Sequence, residues 1–524
     1  MNRKRFTTLL VLVFAVFLSL QPLAAQDEVT EFVFAHSGPI RTMDAPVTWF
    51  GSTHWLTNGL YDCLIWRAAD GNGYVGQAAE SWENVDDVTW RFKLREGLTF
   101  QNGEVLDAEA VKWNLDRVRG REDFLVYPQW QFIQDVVIVD PLTIEIVTVN
   151  PHPYFEYDVS YNGCQLLPPD YMAEVGEEEF ARRPIGSGPF KLVEFTESDR
   201  YVFEAWDGYW AGPPAVDRVI YQVIPEQSAQ VAALLAGQVD MIPAVPRPDR
   251  GLLEGSEGIS VVEETSNRIT SFYLRVETET GAMNETYPDF QPATLNDNVR
   301  LAISHALDRE LLADVQGSAQ PRLSRVCSYY PEGFAEQYAD PEAVAAWYNP
   351  DLSRSLLAEA GFADGAGPTI YLDAPTFQFG NEKEVAEVAA AMLEEVGFNV
   401  ELNILDASAY SEQITSGGNN RDMMLTTLGC SPSLVPTFYT CEWTQANYNV
   451  CVPEWDALGK QILTTVNPEA RLDLWGQWWE TYVNYAQTIT LYEINSVIAY
   501  NSAEFDFTPR KDGWFTFRDL KPRQ

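Results

Sequence analysis

The sequence predicts an α/β protein, because strand-like and helix-like stretches follow one another along the whole chain. Residues 88–94 (VTWRFKL) and 398–405 (FNVELNIL) alternate apolar and polar side chains, which is typical of strands with one buried face. Amphipathic stretches with helix start and stop signals lie between and around them. Because 524 residues exceed what one hydrophobic core usually supports, we expect two or three domains.

The N-terminal stretch has the features of a secretory signal peptide. Basic residues at positions 3–5 precede an apolar run at positions 9–18, and residues 22–25 (PLAA) offer a cleavage site. The apolar run is too short to span a bilayer, and no cysteine stands at the cleavage site for a lipid anchor. We therefore predict a signal peptide over residues 1–25 and an exported protein, soluble in the periplasm or at the cell surface.

Two helices are predicted from caps and apolar spacing. After a turn at Asn102-Gly103, Asp107 is the expected N-cap and Gly120 the expected end of the first helix. Its apolar stripe consists of Val111, Leu115 and Val118. The second helix, over residues 225–237, starts after a proline and stops at a glycine. Its apolar face consists of Val231, Leu234 and Leu235.

Two more helices are predicted over residues 349–361 and 381–397. The first begins with Asn349 as its cap, followed by a proline at the first helical position. In the second, Asn381 and Glu384 have the spacing of a capping box.

Residues 184–195 (PIGSGPFKLVEF) contain a glycine-serine-glycine motif with three possible interpretations. A phosphate-binding loop is disfavoured, because Pro189 removes a backbone N–H and no lysine-serine pair opens a helix. A nucleophilic serine is disfavoured because that motif is Gly-x-Ser-x-Gly before a helix, whereas residues 190–195 alternate like a strand. We interpret Gly186-Ser187-Gly188 as a tight bend before a strand.

The composition argues against several kinds of protein. With 76 acidic and 35 basic residues, the chain has a net charge of −41 and repels nucleic acid, whose binding requires basic patches. Its four histidines are widely separated, so neither a zinc nor a nickel site is expected, and no cofactor is predicted. Six cysteines, an even number in an exported chain, indicate disulfides.

The order of several motifs resembles family 5 of the solute-binding proteins, which serve peptide-type ABC importers. Residues 42–46 (TMDAP), 77–118 and 207–242 are similar to typical stretches of that family, and residues 184–195 match its glycine-proline turn. Residues 295–312 (LNDNVRLAISHALDRELL) are similar to the helix that follows entry into the second lobe. Together, the motifs extend over nearly the whole mature chain.

The resemblance implies the α/β two-lobed periplasmic binding protein fold, with lobes joined by crossing hinge strands. Lobe I would comprise residues 26–265 with an inserted subdomain at about 66–185, and lobe II residues 266–490. Residues 491–524 would return to lobe I. The resemblance further implies a monomer, not an enzyme, that captures a peptide or oligosaccharide between the lobes and delivers it to ABC permease subunits in the membrane.

The charged anchors of the family's peptide binders are missing from the corresponding stretches. Cys430 or Ser431 takes the place of the aspartate that holds a peptide's amino terminus. The loop at 373–381 (DAPTFQFGN), where dipeptide binders have an arginine for the carboxylate, contains no basic residue. Because a buried charge without a partner is costly, we expect a neutral or weakly charged solute, an oligosaccharide slightly ahead of a longer peptide.

We expect the solute to contact segments 41–55, 375–379 and 427–433, together with loop aromatics that suit the flat faces of sugars. The candidates are Met43, Trp49, Trp55, Tyr127, Trp130, Phe377, Gln378, Leu428, Gly429, Cys430, Ser431, Tyr439 and Trp443. For each aromatic residue, packing in a core is the alternative, because aromatic side chains are mostly buried. Asp44 is expected to cap a turn rather than contact the solute.

The family resemblance also implies a disulfide between Cys441 and Cys451, which are close in sequence and separated by an Asn-Tyr. For the other four cysteines, a bond within one lobe leaves the hinge free, whereas a bond between lobes would prevent opening. The pairs that satisfy this condition are Cys327 with Cys430 and Cys63 with Cys164. Buried free thiols are the alternative.

Two other functions stay open at this point. An exported glycoside hydrolase needs only two carboxylates about 5–10 Å apart, and 76 acids permit such a pair, although no motif singles one out. A solute sensor that signals through a membrane receptor would present the same sequence features as an importer component.

Overall fold

The structure is a computed structural model that describes most of the chain. It describes residues 29–38, 40, 42–47, 51–276, 292–325, 327, 339–362, 366–376, 380–406, 409–410, 412–413, 422–430, 432–441 and 452–523, with the side chains of 51–54, 434 and 438 left aside. The predicted signal peptide lies outside these residues.

The α-helices are α1 (Gly51–Leu60), α2 (Ala108–Gly120), α3 (Phe155–Asp158), α4 (Pro169–Val175), α5 (Glu177–Phe180), α6 (Gln227–Leu235), α7 (Arg250–Glu254), α8 (Asp297–Ala306), α9 (Arg309–Gln316), α10 (Pro341–Trp347), α11 (Pro350–Glu359), α12 (Glu382–Glu395), α13 (Leu434–Phe438), α14 (Pro453–Thr464) and α15 (Pro468–Tyr485). The strands are β1 (Glu31–His36), β2 (Ile65–Arg67), β3 (Tyr74–Gly76), β4 (Ala79–Asp86), β5 (Thr89–Leu94), β6 (Ile133–Asp140), β7 (Thr143–Thr148), β8 (Phe190–Thr196), β9 (Arg200–Ala205), β10 (Arg218–Val223), β11 (Met241–Ile242), β12 (Ile259–Leu274), β13 (Ala319–Pro321), β14 (Thr369–Pro375), β15 (Asn399–Leu405), β16 (Met423–Gly429), β17 (Thr488–Asn501), β18 (Phe505–Asp506) and β19 (Lys521–Pro522).

A mixed eleven-stranded sheet runs through the molecule. Its order is β15-β14-β16-β12-β17-β11-β1-β10-β9-β8, and β13 pairs with β17 beside this path. Parallel pairs occur towards both ends, where β1 lies beside β10 and β14 lies between β15 and β16. Strands and helices alternate along the chain around this sheet, which is the two-lobed α/β fold that was predicted.

A separate four-stranded antiparallel sheet lies in the range predicted for the inserted subdomain. Its order is β4-β5-β7-β6, and it has its own hydrophobic core. The predicted stripe of α2 is buried in that core, together with Phe92 and Trp130. A subdomain with its own core can stand beside lobe I as a unit, while the exact limits of 66–185 stay a prediction.

Local sequence signals predicted capping side chains at the start of three helices, and two of these predictions are confirmed. The side chains of Asp107 and Asn349 accept hydrogen bonds from backbone N–H groups in the first turns of α2 and α11. Asn381 occupies the N-cap position of α12, but its amide donates to the carbonyl oxygens of Val315 and Gln316 instead. The capping-box prediction is therefore wrong, because a tertiary contact takes the side chain.

The glycine-serine-glycine motif is a bend before a strand, as predicted. A Cβ atom at Gly186 would lie 1.8 Å from the carbonyl oxygen of Leu60, so only glycine permits this approach. The Ser187 hydroxyl accepts a hydrogen bond from the Asp62 N–H at 2.9 Å, and β8 follows directly. The serine thus holds two segments of lobe I together.

Two residue predictions are wrong. Leu235 is 40% exposed, because α6 ends there, whereas Val231 and Leu234 are buried. The Asp44 carboxylate pairs with the Arg117 guanidinium through two contacts, of 3.0 and 2.5 Å, instead of capping a turn. The Asp44 outcome depends on a partner that lies far away in sequence.

Two predicted disulfides are present. Cys63 pairs with Cys164 and Cys327 with Cys430, with Cα–Cα distances of 5.1 and 5.4 Å that suit a disulfide. Cys441 is disulfide-bonded as well, and its predicted partner, Cys451, lies outside the described residues.

Candidate functional site

Two long strands connect the two halves of the central sheet. β12 and β17 pair antiparallel from Ile259 opposite Asn501 to Tyr273 opposite Thr488. The register shifts between Thr265 and Ile269, so that β12 carries extra residues at 266–268. Such a bulge bends a strand and increases its local twist, and residues 266–268 lie at the predicted boundary between the lobes.

The C-terminal segment packs closely against this bulge. Gly513 has φ +69°, and a Cβ atom there would lie 2.9 Å from the Ser266 Cα and 3.1 Å from the Asn267 nitrogen. Glycine is therefore required by both its backbone conformation and its neighbours. The contact fixes the returning C-terminal segment against the bulge.

Arg268, at the end of the bulge, places a positive charge opposite the predicted solute segment. It pairs across the sheet with Gly429 at the end of β16, and its backbone N–H donates to the Ser266 hydroxyl at 3.1 Å. The residue is half-buried, and burial lowers the pKa of its guanidinium. A guanidinium group is suited to a planar anion such as a carboxylate, which it can bind through two parallel hydrogen bonds.

A second guanidinium, from Arg325, supports the same strand end. It donates to the carbonyl oxygen of Gly429 at 3.1 Å and to the Tyr439 hydroxyl at 3.3 Å. Its Cζ lies 5.6 Å from the ring centroids of both Tyr273 and Tyr439. Because Arg325 is fully buried, it positions Gly429 and Tyr439 rather than reaching a solute.

On the lobe I side, Arg67 is enclosed by aromatic rings. Its Cζ lies between 5.1 and 5.5 Å from four ring centroids, and its Nε lies 3.5 Å from an Asp512 carboxylate oxygen. The rings are those of Trp66, Tyr157, Tyr161 and Trp514. Burial raises the pKa of Tyr161, while the charges of Arg67 and Arg268 oppose that rise. Tyr161 thus lies within the field of both guanidinium groups.

His36, at the end of β1, completes the lobe I wall of this region. Its ring meets the Trp55 ring edge-to-face at 5.5 Å, and its Nδ1 accepts a hydrogen bond from the Gly38 N–H. The pKa of His36 is lowered to about 4, chiefly by burial and further by the charge of Arg268. The imidazole is therefore neutral at physiological pH, and the positive charges of this region belong to the arginines.

Direct contacts join the inserted subdomain to lobe II. The Ser433 hydroxyl donates to the Asp158 carboxylate at 2.7 Å, and the other carboxylate oxygen of Asp158 lies 2.7 Å from His152 Nε2. The Trp475 indole N–H donates to the Tyr154 hydroxyl at 3.0 Å. One aromatic cluster contains residues of both sides. The predicted subdomain is therefore in direct contact with the predicted lobe II.

Several predicted contact residues lie in this region. Trp55 packs against His36. Leu428 and Gly429 are the last two residues of β16. The Tyr439 hydroxyl accepts a hydrogen bond from Arg325. Cys430 also lies there, but its sulfur is in the disulfide with Cys327. Their contact with a solute stays a prediction.

Three other predicted residues are packed elsewhere. Met43 is fully buried in the lobe I core. Trp130 is fully buried in the subdomain core, where its indole N–H donates to the Asn162 carbonyl oxygen, and Tyr127 packs against that same core. For Trp130, the alternative of core packing is what the structure shows. Trp49, Phe377, Gln378, Ser431 and Trp443 lie outside the described residues.

Sequence reasoning missed the arginines of this region. It searched for charged anchors only in the stretches that match the family's anchors, whereas Arg268 and Arg67 come from a bulge and a short strand. Arg268 lies in the mainly polar stretch at residues 263–271, so the sequence there contains no signal that singles it out. Only the pairing of β12 with β16 shows that this charge stands opposite Gly429.

The described part of the chain offers neither a metal cluster nor a membrane span. None of its groups of histidine, cysteine, aspartate and glutamate could hold a metal ion. In the same residues, every helix is too short or too polar to cross a membrane.

Comparison with known proteins gives consistent results. The chain is 25% identical over 458 residues to the glutathione-binding protein GsiB of Salmonella paratyphi A, covering 84% of this chain and 85% of that protein. The crystal structure of the dipeptide-binding protein of Pseudoalteromonas sp. SM9913 with Met-Leu has a TM-score of 0.80 at 20% identity, covering 94% of this chain and 100% of that one. The oligopeptide-binding protein AppA of Bacillus subtilis with a nonapeptide has a TM-score of 0.75 at 21% identity, covering 94% and 99%.

The family profile described as "Bacterial extracellular solute-binding proteins, family 5 Middle" matches residues 73–449. This match covers more than half of the chain and includes both the subdomain and the strand end at Gly429. The chain therefore belongs to family 5 of the bacterial extracellular solute-binding proteins.

Proposed function

We propose that the protein is the solute-binding component of an ABC importer, which captures a short peptide between its lobes and presents it to the membrane permease. The observation that carries this proposal is the long β12–β17 pair, together with a direct hydrogen bond between the predicted subdomain and the predicted lobe II. Solute capture requires no chemistry, so we infer a binding protein rather than an enzyme. Export to the periplasm or cell surface, and a monomeric state, belong to the same proposal.

Closure provides the physical link between capture and delivery. A solute that contacts both lobes makes its full set of contacts only in the closed form, so it shifts the open–closed equilibrium towards that form. The permease then distinguishes loaded from empty protein by the shape of the closed form. In this proposal, the lobes turn at the bulge at residues 266–268. Cys63–Cys164 lies within predicted lobe I and Cys327–Cys430 within predicted lobe II, so neither disulfide links the lobes.

The arginine opposite Gly429 changes the expected class of solute. Sequence analysis favoured a neutral solute because the known anchors are missing, whereas Arg268 favours a ligand with a carboxylate. GsiB is named for binding glutathione, and two solved structures of this fold contain Met-Leu and a nonapeptide. We therefore place a peptide with a free carboxylate ahead of an oligosaccharide.

Identification of the bound solute tests this proposal. The protein is purified from its natural host, denatured, and the released small molecules are analysed by mass spectrometry. The ligand-free protein is then refolded and screened by thermal shift with glutathione, Met-Leu and neutral oligosaccharides. A ligand at 100 times its dissociation constant should stabilise the fold by about 2.7 kcal/mol. Stabilisation by oligosaccharides alone would contradict the peptide assignment.

A further inference from the structure

One buried hydrogen bond joins the predicted subdomain to the predicted lobe II. The Ser433 hydroxyl donates to a carboxylate oxygen of Asp158 at 2.7 Å, although the two residues lie 275 positions apart in sequence. Each of them is only 3% exposed. Because a hydrogen bond to a carboxylate is stronger than one between neutral groups, this contact contributes to holding the two parts of the molecule together.

On the subdomain side, the carboxylate is oriented by residues of the subdomain itself. The second oxygen of Asp158 lies 2.7 Å from His152 Nε2. The His152 ring in turn stacks on the Phe132 ring, with centroids 4.4 Å apart. These three residues therefore fix the direction in which the remaining carboxylate oxygen faces lobe II, and they do so without any help from lobe II.

On the lobe II side, Ser433 is the N-cap residue of α13, yet its hydroxyl does not cap that helix. An N-cap serine usually accepts a hydrogen bond from the first turn of its own helix. Here the hydroxyl bonds Asp158 instead. Ser433 also lies four residues beyond Gly429, the strand end that pairs with Arg268. The contact thus adjoins the segment that is predicted to meet the solute.

Apolar packing around this bond also crosses between the two parts. Tyr154 of the subdomain shares one hydrophobic cluster with Val435 and Tyr439 of lobe II. Apolar contacts have no preferred direction, whereas a hydrogen bond requires a defined distance and angle. The bond between Asp158 and Ser433 therefore selects one position of α13 against the subdomain.

We propose that Asp158 and Ser433 are positioning residues for solute capture, whose hydrogen bond forms as the lobes close and raises solute affinity, although neither residue contacts the solute. A contact that exists only in the closed form shifts the open–closed equilibrium towards that form. A larger closed population lowers the apparent dissociation constant of every solute that binds it. The inference rests on the proposed function and adds a contribution to affinity that does not depend on solute chemistry.

A matched pair of hydroxyl variants tests this inference. Ser433→Ala removes the bond to Asp158, whereas Thr437→Val removes a hydroxyl of the same helix that donates to the Ser433 carbonyl oxygen. Both are titrated with Met-Leu and with glutathione as probes. Ser433→Ala should raise the dissociation constant about tenfold, as expected for a lost hydrogen bond to a charged group, through faster dissociation. Thr437→Val should bind like the wild type.

The distance between the two parts gives a measurement that needs no solute. Spin labels are attached after Val139→Cys in the subdomain and Leu352→Cys in lobe II, at positions that are 53% and 38% exposed. In the refolded, ligand-free protein, Ser433→Ala should shift the distance distribution towards longer values, and Thr437→Val should not. An unchanged distribution in Ser433→Ala overturns the inference.

Stability separates a permanent contact from one that forms on closure. If the bond is permanent, Ser433→Ala lowers the urea midpoint of the empty protein below that of Thr437→Val and leaves the dissociation constants unchanged, which overturns the inference. Failure of both probes to bind would contradict the peptide proposal, while the label distances would still decide whether this bond holds the two parts together.

Discussion

At the scale of single residues, the burial of His36 makes the stability of the fold depend on pH. Its pKa in the folded protein is about 4, below the value of 6.5 expected when it is exposed. The folded state therefore holds the neutral ring, and its stabilising contribution is complete above pH 6.5. As the pH falls from 6.5 towards 4, the unfolded chain takes up a proton that the folded protein does not, and stability is lost.

We predict that wild-type protein loses about 2 kcal/mol of unfolding free energy through His36 between pH 7 and pH 5. Asp422, whose pKa burial raises to about 6, acts in the opposite direction as the pH falls from 6. Urea unfolding of wild type and His36→Gln at both pH values separates the two effects. The variant should lack the His36 part of the loss, and an identical pH dependence in both proteins would contradict the buried neutral ring.

Arg268 provides the residue-scale test of solute chemistry. Arg268→Ala should weaken a peptide with a free carboxylate by about ten- to a hundredfold, the range of a hydrogen bond to a charged group. The same peptide with an amidated C-terminus should bind both proteins alike. Arg200→Ala removes a surface guanidinium paired with Glu194 and serves as control. Equal losses for the free and amidated peptides would show that Arg268 does not bind the carboxylate.

At this scale, the sequence predicted the role of a side chain correctly when its hydrogen-bond partner lay nearby in sequence. Asp107 and Asn349 were predicted because an N-cap bonds the next few backbone groups. Asn381 failed because its amide bonds the end of α9, and Asp44 failed because Arg117 reaches it from α2. Arg268 was missed for the same reason, since its position opposite Gly429 depends on strand pairing.

At the scale of elements, the bulge in β12 is the main irregularity of the long strand pair. The sequence resemblance predicted crossing hinge strands, and β12 and β17 form a long antiparallel pair that is the candidate for them. The bulge itself could not be predicted, because residues 266–268 alternate no differently from a regular strand end. Its stabilising neighbour, Gly513, lies far along the chain and meets Ser266 only in the folded protein.

A matched pair of glycine variants tests this contact. Gly513 and Gly73 both have positive φ, +69° and +81°, so alanine should cost roughly 1–2 kcal/mol at either position. Only at Gly513 would the new Cβ atom also collide with backbone, whereas Gly73 has nothing within 4 Å. Denaturant unfolding should show a larger loss for Gly513→Ala, with weaker solute binding. Equal losses in both variants would contradict the close contact at the hinge.

At the scale of the whole molecule, charge is the most unusual property. A net charge of −41 produces self-repulsion that opposes the compact state. Salt reduces the Debye length from about 10 Å at 0.1 M to about 3 Å at 1 M and so weakens that repulsion. We predict that the urea midpoint rises as sodium chloride increases over this range. A midpoint that is constant or falls with salt would contradict the prediction.

The fold as a whole was more predictable than the site. Alternating strand and helix patterns, together with a motif order spread over nearly the whole chain, are sufficient for the two-lobed α/β arrangement. The site depends on which few side chains the closed lobes bring together. Met43 and Trp130 resembled contact residues in sequence but pack in separate cores.

Calorimetric titration of the refolded, ligand-free protein with peptide tests the central claim most directly, provided that the peptide is recovered and analysed afterwards. Capture between closing lobes predicts saturable binding with one peptide per protein, a negative heat-capacity change from buried apolar surface, and peptide recovered intact. Absence of binding to every peptide, or recovery of cleaved peptide, would contradict the account.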